Sequence, residues 1–191
     1  MVKPRRIEGY AIVSEDGMIA DARGIMPKAL EFEADKRFFE RRLDAIDVVF
    51  HGRHSHEHQP NSDWRMRVVL TRRIVDIATD PSAENVFFWN PTGASLEDVL
   101  KTLGKPDAAL GIIGGTEVFG LFLGHYSAFY LSRAPNLHLP RGRPVFPEVP
   151  EKTPEDVLKS HGLIAAAPHA LDAGKGLNVV GWHAPSEPKR F

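Results

Sequence analysis

Residues 109–119 read ALGIIGGTEVF. Ala109–Ile113 is a short apolar run that suits a buried strand, Gly114-Gly115 breaks it, and Thr116–Leu123 resumes as a predicted helix. A strand that leaves through glycines straight into a helix is the repeating step of an α/β sheet. Glycines at that exit let a ligand approach the backbone closely and open dihedrals that other residues avoid. The stretch is not the GxGxxG dinucleotide fingerprint, and the chain holds no GxxxxGK[ST] loop. A double glycine here also has an ordinary reading as a structural turn.

The same alternation extends outward in both directions. Ile7–Val13 is a predicted first strand ended by Ser14-Glu15-Asp16-Gly17, and residues 15–34 form a long loop broken by Gly17, Gly24 and Pro27. From Asp35, DKRFFERRLDAI spaces Phe38, Phe39, Leu43 and Ile46 for a helix, with Asp35 placed as its N-cap. Asp47–Phe50, Arg67–Thr71 and Val86–Trp89 are predicted strands. Ser95-Leu96-Glu97-Asp98 opens a helix like a capping box, ending near Gly104. Ala128–Ser132 is a further strand, and residues 134–150, with five prolines, form an irregular connection. Residues 162–184 predict two strands joined across Ala173-Gly174-Lys175-Gly176. The expectation is one α/β domain over residues 1–191: a mostly parallel central sheet, helices on both faces, and a C-terminal antiparallel hairpin.

Composition narrows the function classes. With 42% hydrophobic and 26% charged residues, the 191-residue chain has enough apolar mass for a substantial core. Lys+Arg of 24 against Asp+Glu of 25 gives a net charge of −1, without the basic excess that duplex binding uses. No cysteine is present, which removes disulfides, thiolate catalysis and Cys-bound zinc. The basic MVKPRR start precedes an apolar stretch too short for a secretion signal, and no run approaches a membrane span. A cytoplasmic location, without membrane or nucleic-acid partners, is the expectation.

Three strand exits suit an anion. Gly52-Arg53-His54-Ser55 follows a buried strand, where free backbone N–H groups, a guanidinium and a hydroxyl would meet a phosphate. Leu70-Thr71-Arg72-Arg73 is the second, and the double glycine the third. The four histidines His51, His54, His56 and His58 invite a metal reading, but Pro60 leaves them a short, poorly braced segment, and solvated or packing histidines explain them better. No metal site is predicted. Asp35 is the carboxylate to watch: a helix N-cap accounts for it, while Phe39 one turn later would set it beside an aromatic wall.

Taken in order, these segments resemble the dihydrofolate reductase superfamily over nearly the whole chain. The matching elements are Asp16-Gly17-Met18-Ile19-Ala20, Met26-Pro27, Asp35 with Phe39, Gly52-Arg53-His54-Ser55 with Glu57, RMRVVLTR (65–72), IGGTEVF (113–119), Ser132 and Phe146-Pro147. His56 falls at the aromatic position after the family's Ser/Thr. The resemblance implies a dihydrofolate reductase-like three-layer fold and NADPH-dependent reduction of a C=N or similar bond in a pterin- or pyrimidine-like ring. It implies that Gly52, Arg53, His54, Ser55, Leu70, Thr71 and Arg72 hold the cofactor's phosphates. Ile113, Gly114, Gly115, Thr116, Glu117, Val118 and Phe119 would line the pyrophosphate and nicotinamide, with Ala11, Ile12 and Ile19 opposite. Asp35 would be the catalytic group, and Asp35, Phe39, Arg65 and Ser132 would contact substrate.

The departures bear on substrate. Lys28 follows Met26-Pro27 where folate reductases usually carry Trp, and the interval from Pro27 to Asp35 is longer than theirs. SEDGMIA (14–20) looks more like the opening of the riboflavin-pathway pyrimidine reductases, although their longer insertion after the Gly-Thr segment is absent. Dihydrofolate is the leading single substrate. The alternatives are a ribosylated pyrimidine or a non-catalytic NADPH-binding module, and homodimerisation is a further expectation by analogy with the pyrimidine reductases.

Overall fold

The computed structural model describes residues 2, 4–55 and 64–185. Its centre is a parallel run of β1 (Arg6–Val13), β3 (Val48–Gly52), β4 (Met66–Leu70), β6 (Ala83–Trp89), β7 (Ala109–Ile112) and β8 (Ala128–Arg133), in the spatial order β8-β1-β7-β3-β4-β6. Antiparallel strands close both edges of this ten-stranded sheet. On one side β5 (Ile77–Asp80) folds back on β6. On the other, β12 (Leu177–His183) lies beside β8 and carries β10 (Ile164–Ala165) and β11 (His169–Asp172). A separate two-stranded ribbon joins β2 (Met18–Ala20) to β9 (Arg143–Pro144). The helices are α1 (Glu33–Leu43), α2 (Leu96–Thr102), α3 (Thr116–Leu121) and α4 (Pro154–Ser160).

Side-chain alternation along the strands divides the core. Val48, Phe50, Leu110, Ile112, Phe129 and Leu131 face one way, into the main cluster with Val99, Phe119 and Val157 from α2, α3 and α4. Tyr10 and Val49 face the other way and pack with Leu43 of α1. Burial on both faces is why the central strands read as unbroken apolar runs. Phe119, Phe129 and Phe146 are fully buried and mutually edge-on or tilted, with Phe119–Phe129 centroids 5.5 Å apart. Burying each such ring contributes roughly 1.5–3 kcal/mol.

Several local expectations change. Asp35 is not the N-cap: α1 starts at Glu33, Phe32 holds the cap position without a side-chain bond, and Asp35 sits within the first turn. Its carboxylate is engaged across the chain with Ser132, so it is not available to cap its own helix. The 15–34 loop and the 134–150 connection each contribute one strand of the β2–β9 ribbon. Gly17, at φ +82°, makes the turn between β1 and β2, and Ser14 Oγ accepts from Met18 N at 3.0 Å. The predicted 116–123 helix ends earlier, at Leu121. The C-terminal hairpin forms between β11 and β12, but its first strand is broken around Pro168 into β10 and β11. The Ser95–Asp98 capping box is present in both directions. Among the described residues, no helix is long and apolar enough to cross a membrane.

Candidate active site

A cleft of about 1210 Å³ opens at the carboxyl ends of β1, β3 and β8, between α1, the 18–33 segment and the double-glycine turn. Ligand sites of open α/β sheets sit in this position. The volume exceeds the ~300–1,000 Å³ usual for one small-molecule pocket.

One wall is built by the exits of β3 and β7. Gly52 N donates to Gly114 O at 2.7 Å, and Ile113 N donates to Phe50 O at 3.0 Å, so the two exits are tied together. The Gly114-Gly115 peptide is cis, and Gly114 has φ +108°. A Cβ on Gly114 would lie 2.9 Å from the Phe119 ring, whereas one on Gly115 would meet only Ser55 Oγ at 3.5 Å and Ile19 Cδ1 at 3.9 Å. Gly115 thus leaves the cleft open between β2 and the β3 exit. Ser55, His54, Thr116 and Phe119 line it here, with the Thr116 hydroxyl donating to Pro144 O and so tying the turn to β9.

The opposite wall is α1. Asp35 and Phe39 both face the cleft, with Ile12 and Ser132 on the neighbouring strands β1 and β8. Burial pushes the Asp35 pKa up, and a hydrogen bond with Ser132 pulls it part of the way back. The result is a single half-buried carboxylate whose charge is undercompensated by the protein. A ligand presenting N–H groups or a positive charge would complete its surroundings.

Beneath this pair lies an aromatic floor that the sequence reading did not pick out. Tyr10 and Tyr130 are register partners, one rung inward from Ile12 and Ser132, and their rings stack with centroids 5.6 Å apart at 9°. Phe38 and Phe39 meet them edge-on, at 5.7 Å from Tyr130 and 5.8 Å from Tyr10 respectively. Under the floor, buried Glu8 accepts from the Tyr10 hydroxyl and from Arg42 at 2.8 Å, and pairs with Arg6 at 3.1 Å. Burial, then Glu8, pushes the Tyr10 pKa up. Strand alternation from Ile12 and Ser132 was the available signal for these two tyrosines.

Of the residues named from sequence, the cleft gathers Ala11, Ile12, Ile19, Asp35, Phe39, His54, Ser55, Ile113, Gly115, Thr116, Phe119 and Ser132. Gly52, Gly114 and Val118 stand directly behind its glycine wall. Arg53 is exposed beside His54, next to the cleft rather than in it. Leu70, Thr71 and Arg72 leave the neighbouring strand β4, and exposed Arg72 pairs loosely with Glu117 at 3.9 Å. Arg65 is not brought to the cleft: it precedes β4, at the sheet end remote from the strand exits, and its guanidinium bonds Asp44 at 3.0 Å. Carboxylate pairing of Arg65 at the end of α1 accounts for its placement. His56, Glu57 and His58 lie outside the described residues. His51 is buried, with Nδ1 at 2.9 Å from Gly52 O, and among the described residues no three His, Asp or Glu side chains converge as a metal site. Arg23, Lys36, Arg143 and Lys175 also line the cleft, and only the last three-dimensional placement, not their local sequence, groups them.

This mostly parallel sheet with its antiparallel edges is a dihydrofolate reductase-like fold. The chain is similar to dihydrofolate reductase from Enterococcus faecalis complexed with NADP(H) and RAB-propyl, at 20% identity, TM-score 0.62, over 97% of this chain and 100% of that one. It is similar to a protein of Shewanella sp. PV-4 assigned to riboflavin biosynthesis, at 19% identity, TM-score 0.67, over 95% and 99%. It also resembles the Thermotoga maritima diaminohydroxyphosphoribosylaminopyrimidine deaminase/5-amino-6-(5-phosphoribosylamino)uracil reductase, at 17% identity and TM-score 0.65, over 95% of this chain and 57% of that one. No family model and no curated protein matches the sequence.

Proposed function

We propose that the protein is an NADPH-dependent reductase acting on a C=N or similar bond of a pterin- or pyrimidine-like ring, with dihydrofolate the leading substrate. The observation that carries this reading is Asp35, a half-buried carboxylate in a cleft of about 1210 Å³, opposite a glycine wall. The residues present fit the cofactor: Gly115 keeps space free at the wall, and Ser55, His54 and Arg53 supply a hydroxyl, an imidazole and a guanidinium at one strand exit. Thr71 and Arg72 at the next exit would reach a 2′-phosphate. When bound, NADPH supplies the hydride.

The chain's own residues do the rest. Asp35 accepts hydrogen bonds from the N–H edge of the ring and, being raised in pKa, holds a proton more readily than an exposed carboxylate. Facing a ring that becomes cationic before reduction, it supplies the missing countercharge. Ser132 fixes the carboxylate's orientation, Phe39 packs beside the ring, and Ile12, Ile19 and Phe119 keep the space between the two ligands apolar. Reduction of a ribosylated pyrimidine is a second reading, in which Lys36 and Lys175 on the α1 side of the cleft would meet a phosphate on the ribosyl group.

Titrating NADPH and NADH and then following NADPH oxidation against a panel of pterins, folates and pyrimidines tests both readings. Absence of NADPH binding, or equal affinity for NADH, would sink the phosphate assignments. Tight NADPH binding with no oxidation by any ring would leave a nucleotide-binding module.

A further inference from the structure

The two outer edges of the ten-stranded sheet differ in charge. At one edge Asp76 and Asp80 bracket β5, and charged ends of this kind guard an edge strand against pairing with a copy of itself. At the other edge β10 and β11 run through GLIAAAPHAL (162–171), ten residues without a Lys, Arg, Asp or Glu in a chain that is 26% charged. Ile164 through Ala170 are all exposed, Ile164 at 62%. Pairing with β12 sets the direction of the backbone here. Ile164 is the register partner of His183, and Ala166 N donates to Gly181 O at 2.8 Å, so both residues turn their main-chain groups inward. Ala165 between them turns its N–H and C=O outward, to the free edge. The side chains of Ile164 and Ala166 share one face of the strand.

We propose that this edge pairs with a second copy of the chain, antiparallel and two-fold, with the axis at Ala165. Each Ala165 N–H then donates to the Ala165 C=O of the other copy, and Ile164 of one copy stands opposite Ala166 of the other. A large side chain thus faces a small one twice, which lets the strands close to the usual ~4.7–4.9 Å. A two-fold contact opposes a surface to itself, so it favours one without charge of a single sign. The 162–171 run meets that condition, and β5 does not. The same lack of charge leaves an acidic or a basic partner nothing to pair with. Pro168 removes an N–H, and the register shifts between Ala170 and Asp172, so the ladder ends within a few rungs and the pairing closes at two copies. The paired segment lies at the His183 end of β12, whereas Lys175, which lines the cleft, precedes its opposite end, so the dimer leaves the cleft open. With seven exposed residues a side against the ~20–30 of a standard interface, the dimer is weak and depends on concentration.

The test is sedimentation velocity of the full chain from about 1 to 500 µM, across which the wild type should shift from monomer toward dimer. Ala165→Pro removes the outward N–H and keeps the Ala166 bond to Gly181, while Ile164→Glu places a charge in the pairing. Each should raise the dimer dissociation constant about tenfold or more, with Tm and ligand binding in the cleft unchanged. Ala166→Lys alone should do the same. An equimolar mixture of Ile164→Glu and Ala166→Lys chains should dimerise again, because the register sets Glu opposite Lys; an edge that was merely damaged would show no such recovery. A wild type that stays monomeric throughout, or a dimer indifferent to all three variants, overturns the proposal. Dissociation of the single variants without recovery in the mixture overturns the pairing about Ala165.

Discussion

Replacing Asp35 with Asn separates the site's chemistry from its stability, because the two should move in opposite directions. The side chain keeps its shape and its ability to accept from Ser132, and loses only the charge. A charge-assisted hydrogen bond contributes about 1.5–3 kcal/mol and a neutral one about 0.5–1.5. At ~1.36 kcal/mol per tenfold, losing that difference accounts for roughly a 5- to 15-fold drop in kcat/KM. The lost proton-holding role adds to it, since a positioned acid or base contributes about 10²- to 10⁴-fold. Asp35→Asn should therefore reduce kcat/KM by ~10²-fold or more. The deficit should shrink as the pH falls, because solvent then protonates the ring without help. Stability runs the other way. The folded-state pKa of Asp35 is raised above its ordinary value of 3.8 by burial, with Ser132 opposing. Between those two values the folded protein holds a proton that the unfolded chain has released, so wild-type stability falls as the pH rises through that window. The Asn variant has no such fall and should gain Tm relative to wild type above it, with the difference closing toward pH 3. Steady-state NADPH oxidation and thermal melts across pH are the two assays. Unchanged turnover would refute the catalytic role, and a Tm deficit at neutral pH would refute the account of a charge held at a cost.

The glycine wall makes a second contrast. Gly114→Ala should destabilise by roughly 1–3 kcal/mol, since φ is +108° and the new methyl would lie 2.9 Å from Phe119, whereas Gly115→Ala should melt near wild type and weaken NADPH binding. Melting curves and a cofactor titration on both variants check this. Arg53→Ala and Arg72→Ala should each weaken NADPH about tenfold more than NADH, with the Arg53 effect the larger because Arg72 is already loosely paired with Glu117 at 3.9 Å. Equal losses for both cofactors would remove the 2′-phosphate assignment. Ser95→Ala removes the Oγ that accepts from Asp98 N, leaving the Ser95 backbone bond to the Asp98 carboxylate, and should cost about 1 kcal/mol, or ~2–4 °C in Tm, without changing either ligand's affinity.

What was legible in the sequence followed from periodicity and from ordered motifs. The strands Ile7–Val13, Ala109–Ile113 and Ala128–Ser132 stood out because burial on both faces makes them mostly apolar, and their positions hold to within a residue. Ser95 and Asp98 announced α2 because a cap is a local interaction. α4 had a comparable signal in Thr153-Pro154-Glu155-Asp156, with a cap and a proline at the first turn, and was missed amid the prolines preceding it. β2 and β9 were not legible, since each is two or three residues long and exists only by pairing across the chain. The edge strand β5, partly exposed along its length, lacks the apolar run that marks a strand. In the site, the glycine wall and Asp35 were named from sequence, while Tyr10, Tyr130 and Arg42 were not. Their grouping depends on which rungs of β1 and β8 face α1, which no segment states on its own.

Asp35 illustrates why residue type alone could not separate structure from function. Read locally, an Asp at the start of an amphipathic run is an N-cap, and its first-turn position still complements the helix dipole. The helix begins two residues earlier, and that small shift changes the neighbours of the side chain. Ser132 from β8 becomes its partner and the cleft its surroundings. The register of β1 against β8 then decides what else stands near it. Because Ile12 pairs with Ser132 and Tyr10 with Tyr130, the carboxylate lies beside an aliphatic rung and one step above a tyrosine rung. A slip of β1 by one residue would set Ala11 or Val13 opposite Ser132 and turn Ile12 and Tyr10 to the other face. The chemistry of the cleft is therefore set by strand register. Glu8, whose ion pair with Arg42 ties β1 to α1, helps to hold α1 over the rungs that this register presents.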